Sequence, residues 1–245
     1  MKQSEITSSS NQIVWFNSEL VPDFRSEWFS DTHWHRHDAV IGKAFGRGTT
    51  TFFSYAGHEM VLRHYLRGGL PGKFLTDQYL YTGLQSTRAW REMRLLMKML
   101  ELSLPVPEPV AARVSRHGFM YRSDIVLLKI PGAVDIHNIL LEKPLTDIQW
   151  QHVGFLIAQF HLYQVYHHDL NIHNIMADNS GKLWLIDFDK CAIKTGESWK
   201  KKNLERLLRS LNKEASAHPE YHFSNEKWQL VIKGYNAFPK AQEES

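Results

Sequence analysis

The sequence has a single cysteine, Cys191, so no disulfide bond can form within the chain. This scarcity excludes the small disulfide-stabilised folds of secreted proteins and is compatible with a reducing cytoplasm. No apolar run approaches the roughly 20 residues that a membrane-spanning helix requires. The polar, serine-rich N-terminus lacks the apolar stretch of a signal peptide, and we expect residues 1–12 to form a disordered tail.

The chain also lacks a large excess of charge of either sign. Its 29 Lys and Arg residues nearly balance its 26 Asp and Glu residues, which leaves a formal net charge of +3. This balance permits an anionic partner without requiring one, and we expect no nucleic-acid partner. The length allows one large domain or two small lobes, each with a core of its own.

The clearest pattern in the sequence is a set of residue types that phosphoryl transfer requires. Asp169 and Asn174 lie in a predicted loop that follows a helix, and Asp187 ends a short apolar strand. Their order matches the protein-kinase pattern H-R-D-L-x-x-x-N followed by D-F-G, except that His168 replaces the Arg and Asp189 replaces the Gly. In that pattern the first Asp accepts the proton of a hydroxyl group, and the Asn and the second Asp hold magnesium.

The spacing of these residues predicts that they meet. The chain between Asn174 and Asp187 has room for one hairpin, with Asn179-Ser180-Gly181 as its turn. Such a hairpin would bring the three side chains to one end of a strand. The alternative is a hydrophilic loop whose carboxylates are placed by chance, and the agreement of residue type, order and spacing disfavours it.

The glycine pair Gly46-Arg47-Gly48, followed by Thr49, is a candidate phosphate-covering loop. It forms the predicted turn of a hairpin over Val40–Tyr55, where glycines allow backbone N–H groups to approach a phosphate closely. The third glycine of the kinase loop is missing, so a plain hairpin turn is the alternative. Its position upstream of the catalytic residues favours the phosphate-binding interpretation.

Arg63 occupies the strand position that holds a Lys in protein kinases. Its guanidinium can bind a phosphate in bidentate fashion, and Glu92 on the following helix is predicted to pair with it. The alternative is that Arg63 is only a solvated charge on the strand and that Glu92 is only a solvated charge on the helix.

The pattern as a whole predicts an α+β protein with a two-lobed, protein-kinase-like fold. Residues 13–131 are expected to form a small N-lobe with a five-stranded antiparallel sheet and the glycine loop. Residues 132–245 are expected to form a mostly helical C-lobe with the catalytic loop and the metal site. The predicted helices run from Ser86 or Thr87 to about Leu102, from Thr146 or Asp147 through Tyr166, from Trp199 to Leu211 and from about Glu226 to Tyr235.

The helix from Trp199 to Leu211 has one apolar side and one basic side. A basic helix face is usually only solvated, and binding of an anion is the alternative. Its cations are Lys200, Lys201, Lys202, Arg206, Arg209 and Lys213.

Taken together, these residues resemble the 3-deoxy-D-manno-octulosonic acid (Kdo) kinases of Gram-negative lipopolysaccharide assembly. The catalytic motifs alone indicate only the protein-kinase-like superfamily, and the runs in the N-terminal half indicate the family. The resemblance spans nearly the whole chain beyond the N-terminal tail. It is carried by Gly46-Arg47-Gly48-Thr49-Thr50, Leu62-Arg63-His64-Tyr65, Arg67-Gly68-Gly69-Leu70, Tyr81-Thr82-Gly83-Leu84, Thr87-Arg88-Ala89, Leu104-Pro105-Val106-Pro107, Asp169-Leu170-Asn171, His173-Asn174 and Ile186-Asp187-Phe188-Asp189.

The resemblance implies ATP-dependent phosphorylation of the 4-hydroxyl group of a Kdo residue on a lipid A precursor (Kdo-lipid IVA). By motif, Asp169 carries over as the catalytic base, with Asn174 and Asp187 as ligands of Mg2+. The acceptor implies a peripheral position on the cytoplasmic face of the inner membrane, against an anionic surface. The candidate membrane contacts are Arg36, Lys43, Arg67, Lys73, Arg88 and Lys200 to Lys202.

Two other functions remain open at the level of sequence. The first is another kinase of the same fold, acting on a heptose or another small molecule; a protein substrate is not expected, because no A-P-E sequence follows Asp189 and the C-terminal part is short. The second is a nucleotide-binding pseudokinase, which Arg63 in the lysine position favours and the intact catalytic residues disfavour.

Overall fold

The structure is a computed structural model that describes residues 3–9, 11–45, 49–66 and 77–243. The protein combines helices with antiparallel sheets, as the predicted α+β class requires. It divides into two compact units. The first comprises the residues up to Lys98 together with Pro107–Lys129, and the second comprises Met99–Val106 and the residues from Ile130 onward.

An antiparallel sheet forms most of the first unit. Its strands run in the order β1-β2-β7-β8-β5-β4-β3, and β6 pairs with β8. The strands are β1 Gln3–Ser9, β2 Gln12–Asn17, β3 Val40–Phe45, β4 Thr49–Tyr55, β5 His58–His64, β6 Tyr79–Leu80, β7 Pro109–His117 and β8 Met120–Leu128.

The prediction of five strands and a disordered tail over residues 1–12 is therefore wrong. Strand β1 lies within that tail and pairs with β2, so that Ile6 lies opposite Val14. The polar composition of the tail concealed this strand, because the backbone of an edge strand can be paired by a neighbour whatever its side chains are.

Aromatic side chains fill the core of the first unit. Helix α1 (Asp31–Arg36) places Trp34 against Phe53 of β4, and their rings stack with centroids 3.8 Å apart. Trp34 also donates a hydrogen bond through Nε1 to the carbonyl of Trp28, at 2.8 Å. Helix α2 (Arg88–Glu101) follows the predicted span to within a residue or two and buries Trp90, among other side chains.

The second unit is mainly helical. Its helices are α3 Ile136–Glu142, α4 Asp147–Leu162, α5 Ser198–Ala217 and α6 Asn225–Glu243, and its short strands are β9 Val134–Asp135, β10 Val165–Tyr166, β11 Ile175–Ala177, β12 Leu183–Leu185 and β13 Ala192–Ile193. Thr146 begins α4 with a capping box, in which its hydroxyl accepts from the N–H of Gln149 and the side chain of Gln149 accepts from the N–H of Thr146.

Helix α4 ends earlier than its apolar pattern predicts. The sequence extends it through Tyr166, but the helix stops at Leu162, and Gln164 has a positive φ of 59°. The next residues form β10, which pairs with β13. The long-range pairing of β10 with β13 therefore overrides the local helical preference. The loop that carries Asp169 follows β10.

The predicted hairpin before Asp187 is present. Strands β11 and β12 pair antiparallel, and Asp178 closes their turn by accepting hydrogen bonds through Oδ1 from Ser180 and Lys182. Hydrogen bonds from Ser180 Oγ and Trp184 Nε1, assisted by these backbone bonds, lower the pKa of Asp178 to about 2. The Asp178 side chain is therefore ionised at neutral pH and stabilises the turn through these hydrogen bonds.

The two units are not separated by the single predicted boundary after residue 131, because the chain passes between them more than once. Residues 99–106 lie between two segments of the first unit, yet they belong to the second. The N–H of Leu185 in β12 donates to the carbonyl of Pro105 at 3.0 Å, which anchors this segment. Over the part of the chain that the structure describes, no helix combines the length and the apolar character needed to cross a membrane.

Candidate active site

Asp169 and Asn174 lie in a loop that is stiffened by its own amide side chains. This predicted catalytic loop, residues 166–175, contains a short 3-10 turn at Ile172–Asn174. Asn171 accepts a hydrogen bond from the N–H of His173 at 2.9 Å, and its Nδ2 donates to the carbonyl of Asp169, also at 2.9 Å. The backbone at Asp169 is thereby held by a residue two positions along the chain.

The two predicted metal ligands, Asn174 and Asp187, are brought together by the backbone. Asn174 donates through Nδ2 to the carbonyl of Asp169 at 2.9 Å, and its own carbonyl accepts from the N–H of Ile186 at 3.0 Å. Asp187 follows directly and adopts a left-handed conformation with a φ of 63°. Such a backbone is costly for a residue with a side chain and is frequent at functional sites.

These ligands fit a hard divalent cation. The amide nitrogen of Asn174 donates a hydrogen bond to the backbone carbonyl of Asp169. The amide oxygen of Asn174 is therefore the atom suited to metal coordination. An amide oxygen and the carboxylate of Asp187 are the donor types that Mg2+ binds. The donor set therefore agrees with the predicted metal site.

Asp169 forms an ion pair with Arg206 of α5. The Nε of Arg206 lies 3.0 Å from Oδ1 of Asp169, and its Nη2 contacts the same oxygen. Partial burial raises the pKa of Asp169, but the hydrogen bonds and the positive charge of Arg206 outweigh burial and lower it overall. The carboxylate is thus ionised at neutral pH, the form in which it can accept a proton.

His167 connects the catalytic loop to the residue before Asp187. Its side chain is buried, and Nε2 lies 3.0 Å from the carbonyl of Ile186. Burial lowers the pKa of His167 despite that hydrogen bond and the nearby carboxylates, so the ring is neutral and donates its Nε2 proton. His167 is therefore a structural tie rather than a base.

One face of α5 holds the catalytic loop along its length. Asn203, Arg206, Ser210 and Glu214 follow one another at helical spacing, and each contacts a different residue of the loop. These contacts are Asn203 Nδ2 to the carbonyl of His167 at 2.7 Å, Arg206 to Asp169, the N–H of Ile172 to Ser210 Oγ at 3.2 Å and His173 Nε2 to Glu214 Oε1 at 3.2 Å.

This set of contacts was not predicted from the sequence. Arg206 was assigned to a basic helix face, which is usually only solvated. The signal that could have revealed it is the recurrence of polar residues at positions 203, 206, 210 and 214, next to the apolar stripe of the same helix. A helix face that only contacts solvent does not require an amide, an arginine, a hydroxyl and a carboxylate at successive positions along it.

Behind the loop, a second cluster could hold a cation. Ligand atoms of His137, His173 and Glu214 all lie within 4.8 Å of one another. Burial lowers the pKa of His137, while the hydrogen bond from His173 and the nearby positive charges outweigh burial at Glu214 and lower its pKa. The carboxylate already has partners in His173 and Lys213, so the cluster is stable as an ion-pair and hydrogen-bond network.

The first unit contains the predicted pair of Arg63 and Glu92. Nη2 of Arg63 lies 2.9 and 2.7 Å from the two carboxylate oxygens of Glu92, whose side chain is only 1% exposed. Tyr65 donates its hydroxyl proton to Oε2 of Glu92 at 2.5 Å, and burial raises the pKa of Tyr65, which keeps that proton in place. Arg63 and Tyr65 together stabilise a carboxylate that would be costly to bury alone.

The remaining predicted nucleotide contacts lie between β3 and β4 in the sequence or begin β4. Gly46, Arg47 and Gly48 lie outside the described residues. Thr49 begins β4, where it pairs with Phe45 across the hairpin. The predicted hairpin is therefore present around the glycine segment.

Comparisons with known proteins agree on one family. The model of the lipopolysaccharide kinase (Kdo/WaaP) family matches residues 31–235. The chain is similar to a 3-deoxy-D-manno-octulosonic acid kinase of Photobacterium profundum, with 44% identity over 225 residues that cover 92% of this chain and 95% of the relative. Proteins of the same name are 45% identical in Vibrio parahaemolyticus (84% and 86% covered) and 43% identical in Vibrio cholerae (84% and 88% covered).

Proposed function

The chain belongs to the lipopolysaccharide kinase (Kdo/WaaP) family, and we propose on this basis that it phosphorylates the 4-hydroxyl group of a Kdo residue on a lipid A precursor. It is a phosphotransferase with an alcohol group as acceptor, and its family acts in lipopolysaccharide biosynthesis. The observation that carries the proposal is the identity of 43–45% with Kdo kinases over at least 84% of the chain.

In the proposed reaction, Asp169 accepts the proton of the sugar hydroxyl as that oxygen bonds to the γ-phosphorus of ATP and ADP leaves. Its ion pair with Arg206 supports this role, because it keeps the carboxylate deprotonated. Asn174 and Asp187 would hold Mg2+, which neutralises charge on the nucleotide phosphates when bound. Arg63, oriented by Glu92, would contact the nucleotide phosphates together with the glycine segment.

We also propose that the two compact units are the small and large lobes of a protein-kinase-like fold. The first unit has the antiparallel sheet and the Arg63–Glu92 pair that this fold requires. The second has the catalytic loop and the hairpin that ends at Asp187. This combination supports the assignment of the nucleotide-binding residues.

The enzyme is further proposed to act on the cytoplasmic face of the inner membrane, where a lipid acceptor and cytoplasmic ATP can meet. Among the candidate basic contacts, Arg36, Lys43, Lys201 and Lys202 are exposed. Lys43 pairs with Asp31 at 3.0 Å. Arg67 and Lys73 lie outside the described residues.

Arg88 is also a candidate membrane contact, and its half-buried side chain has partners within its own unit. Its guanidinium donates to the carbonyl of Leu66 at 3.2 Å and contacts the hydroxyl of Tyr79. It also lies over the ring of Tyr65, 5.2 Å from the centroid. These contacts hold the Arg88 side chain against neighbouring residues of its own unit.

The test is incubation of the purified protein with ATP, Mg2+ and a Kdo-bearing lipid A precursor, followed by mass spectrometry and by NMR of the product. We expect one added phosphate, attached at the 4-position of the sugar. Asp169→Asn should slow turnover by at least about 100-fold with ATP binding retained, in line with general-base contributions. Asp147→Asn, a change of an exposed carboxylate on α4, is the matched control and should behave like the wild type.

Precursor without the sugar and heptosylated lipid serve as acceptor controls. Phosphate on the sugar-free lipid, or on the heptose alone, would overturn the proposed substrate while leaving a kinase. Absence of turnover with all three acceptors, together with intact ATP binding, would instead favour a nucleotide-binding protein without catalysis.

A further inference from the structure

A cavity of about 360 Å3 opens beside Asp169 in the second unit. The catalytic loop forms one wall through Asp169, Asn171 and His173, and α5 forms the other. This volume lies at the lower end of the range for small-molecule sites and suits a single sugar ring rather than a polymer.

The α5 wall carries more positive charge than the cavity itself neutralises. Its three cations are Arg206, Arg209 and Lys213, and the carboxylates that line the cavity are Asp169 and Glu214. Arg206 is committed to Asp169, and Glu214 is shared by His173 and Lys213.

Arg209 differs from the other two cations of this wall. No ion pair joins Arg209 to a carboxylate anywhere in the described segments of the chain. Lys213 reaches Glu214 only at 3.5 Å, with 81% of its side chain exposed. Among the described residues, the unmatched cation of the cavity is therefore Arg209, with Lys213 next to it on the following turn of the helix.

We propose that this cavity binds the carboxylate of the acceptor sugar, with Arg209 as the main contact and Lys213 as a second one. This inference rests on the proposed function, in which the acceptor is a sugar acid. A carboxylate is planar, and the guanidinium of an arginine can bind both of its oxygens at once. Because Asp169 lines the same cavity, a sugar held there by its acid group would have its hydroxyls near the base.

The Arg206–Asp169 pair makes this arrangement electrostatically feasible. An anionic acceptor that approaches a bare carboxylate would be repelled, and the repulsion would be strong in a partly dehydrated cavity. Arg206 offsets the charge of Asp169, so the cavity remains attractive to an anion. Arg209 and Lys213 then confer preference for the acid over a neutral analogue of the same sugar.

The experiment compares two forms of the Kdo-bearing lipid acceptor. One has the natural carboxylate on the sugar, and the other has a carboxamide in its place. Both are assayed with wild-type enzyme and with the variants. We expect wild-type enzyme to prefer the carboxylate in kcat/KM. Arg209→Ala should raise the KM for the carboxylate acceptor roughly 10- to 100-fold, the effect of one charge-assisted hydrogen bond, and should remove most of the preference. Lys213→Ala should have a smaller effect in the same direction, and Arg209→Lys should restore part of the loss.

Two measurements separate the carboxylate from other anions. The KM for ATP should stay within about twofold in these variants; an equal rise would mean that Arg209 contacts a nucleotide phosphate and would overturn the proposal. The variants should lose affinity for the carboxylate acceptor but not for the carboxamide; an equal loss for both would mean contact with a phosphate of the lipid, which also overturns it. Lys233→Ala, which removes an exposed cation of α6, is the control and should retain wild-type values.

These outcomes are distinct from a failure of the proposed function. If wild-type enzyme phosphorylates neither Kdo-bearing acceptor, the substrate assignment fails first. If wild-type enzyme phosphorylates the sugar acid and Arg209→Ala keeps its full preference for the carboxylate, only the assignment of this cavity fails.

Discussion

At the scale of single residues, the protonation state of Asp169 is set by two opposing effects. Burial raises its pKa, and the hydrogen bonds and charge of Arg206 lower it by more. The two effects can be separated experimentally because Arg206 comes from α5, outside the catalytic loop. The net result is a carboxylate that is ionised at neutral pH, as the proposed role of Asp169 requires.

We predict that Arg206→Gln moves the acid limb of the kcat profile to higher pH. Loss of the positive charge leaves burial as the main influence, so the pKa of Asp169 should rise, and the carboxylate should be protonated over a wider acidic range. The measurement is kcat against pH under saturating substrates, with Arg206→Lys as the charge-preserving comparison. An acid limb that does not move would contradict the role of Arg206 in holding Asp169 ionised.

Asn174 and Asp187 give a second prediction at this scale. Asp187→Asn removes a carboxylate ligand and should weaken Mg2+-dependent ATP binding, and Asn174→Ala should raise the Mg2+ concentration needed for half-maximal activity. Calorimetry of nucleotide binding with and without Mg2+ checks the first variant, and a Mg2+ titration of turnover checks the second. Full activity of both variants in the presence of a chelator would rule out these ligands.

At the scale of elements, α5 determines how the catalytic loop is held. Its buried side places Leu207 and Leu211 in the core of the second unit, and the adjacent polar line contacts the loop. A single helix therefore contributes both packing and the groups that position the loop. Damage to that polar line should affect activity and stability together.

Asn203→Ala tests this coupling. The side chain is 3% exposed, and its Nδ2 donates to the carbonyl of His167 at 2.7 Å while its Oδ1 lies 3.2 Å from Nε2 of His161. Leaving such buried groups without partners should lower the free energy of unfolding by about 1–3 kcal/mol. The matched control is Asn212→Ala, an exposed residue of the same helix, which should stay within about 0.5 kcal/mol of the wild type in chemical denaturation. Equal stability of the two variants would mean that Asn203 does not support the loop.

The contact between α4 and α6 depends on two glycines. A Cβ atom added at Gly154 would lie 2.0 Å from the carbonyl oxygen of Val231, and one added at Gly234 would lie 2.0 Å from that of Gln151. Neither atom can be displaced without moving a helix backbone. The close approach of the two helices is therefore possible only because both positions lack a side chain.

We accordingly expect Gly154→Ala to destabilise the protein by about 3 kcal/mol or more, through overpacking against backbone. Gly42→Ala is the control, since its Cβ would meet the side chain of Phe52 at 3.8 Å, an ordinary van der Waals distance. Thermal and chemical denaturation of both variants provide the measurement. A mild effect at Gly154 would show that the two helices can separate at little cost.

At the scale of the whole molecule, the proposed acceptor requires contact with a membrane surface. Lys201 and Lys202 are exposed, and Lys201 only approaches Glu205 at 4.0 Å. A basic residue near an anionic surface contributes roughly 1 kcal/mol, and this attraction weakens as salt screens it. We predict binding to vesicles that contain anionic lipid, declining steeply with salt, and little binding to neutral vesicles.

Lys201→Glu combined with Lys202→Glu should weaken that binding by about 30-fold or more, since at least two favourable contacts of about 1 kcal/mol are lost. Co-sedimentation across a salt series measures the effect, with Lys233→Glu as the charge-reversal control on α6. Equal binding to both kinds of vesicle at every salt concentration would exclude a basic membrane-facing surface, and the kinase assignment would stand without it.

Much of the site follows from local sequence. The turn before Asp187 closes through Asp178 and its neighbours within four residues, and the start of α4 is capped by residues three apart. Interactions of this range depend on residue type and spacing, which a sequence displays directly. The pairing of Arg63 with Glu92 was predicted for a different reason, namely the match to a known kinase pattern, and the structure contains that pair.

Other features were decided only by tertiary structure. Strand β1 exists because β2 offers a partner edge, α4 ends at Leu162 because β10 pairs with β13, and residues 99–106 join the second unit through a bond from Leu185. The contact of Arg206 with Asp169 joins residues 37 positions apart. The sequence by itself determined which residues have the chemistry that the proposed phosphoryl transfer requires, because chemistry depends on residue type. Only the folded chain determined which cation pairs with Asp169, because burial of Leu207 and Leu211 fixes which face of α5 is turned toward the loop.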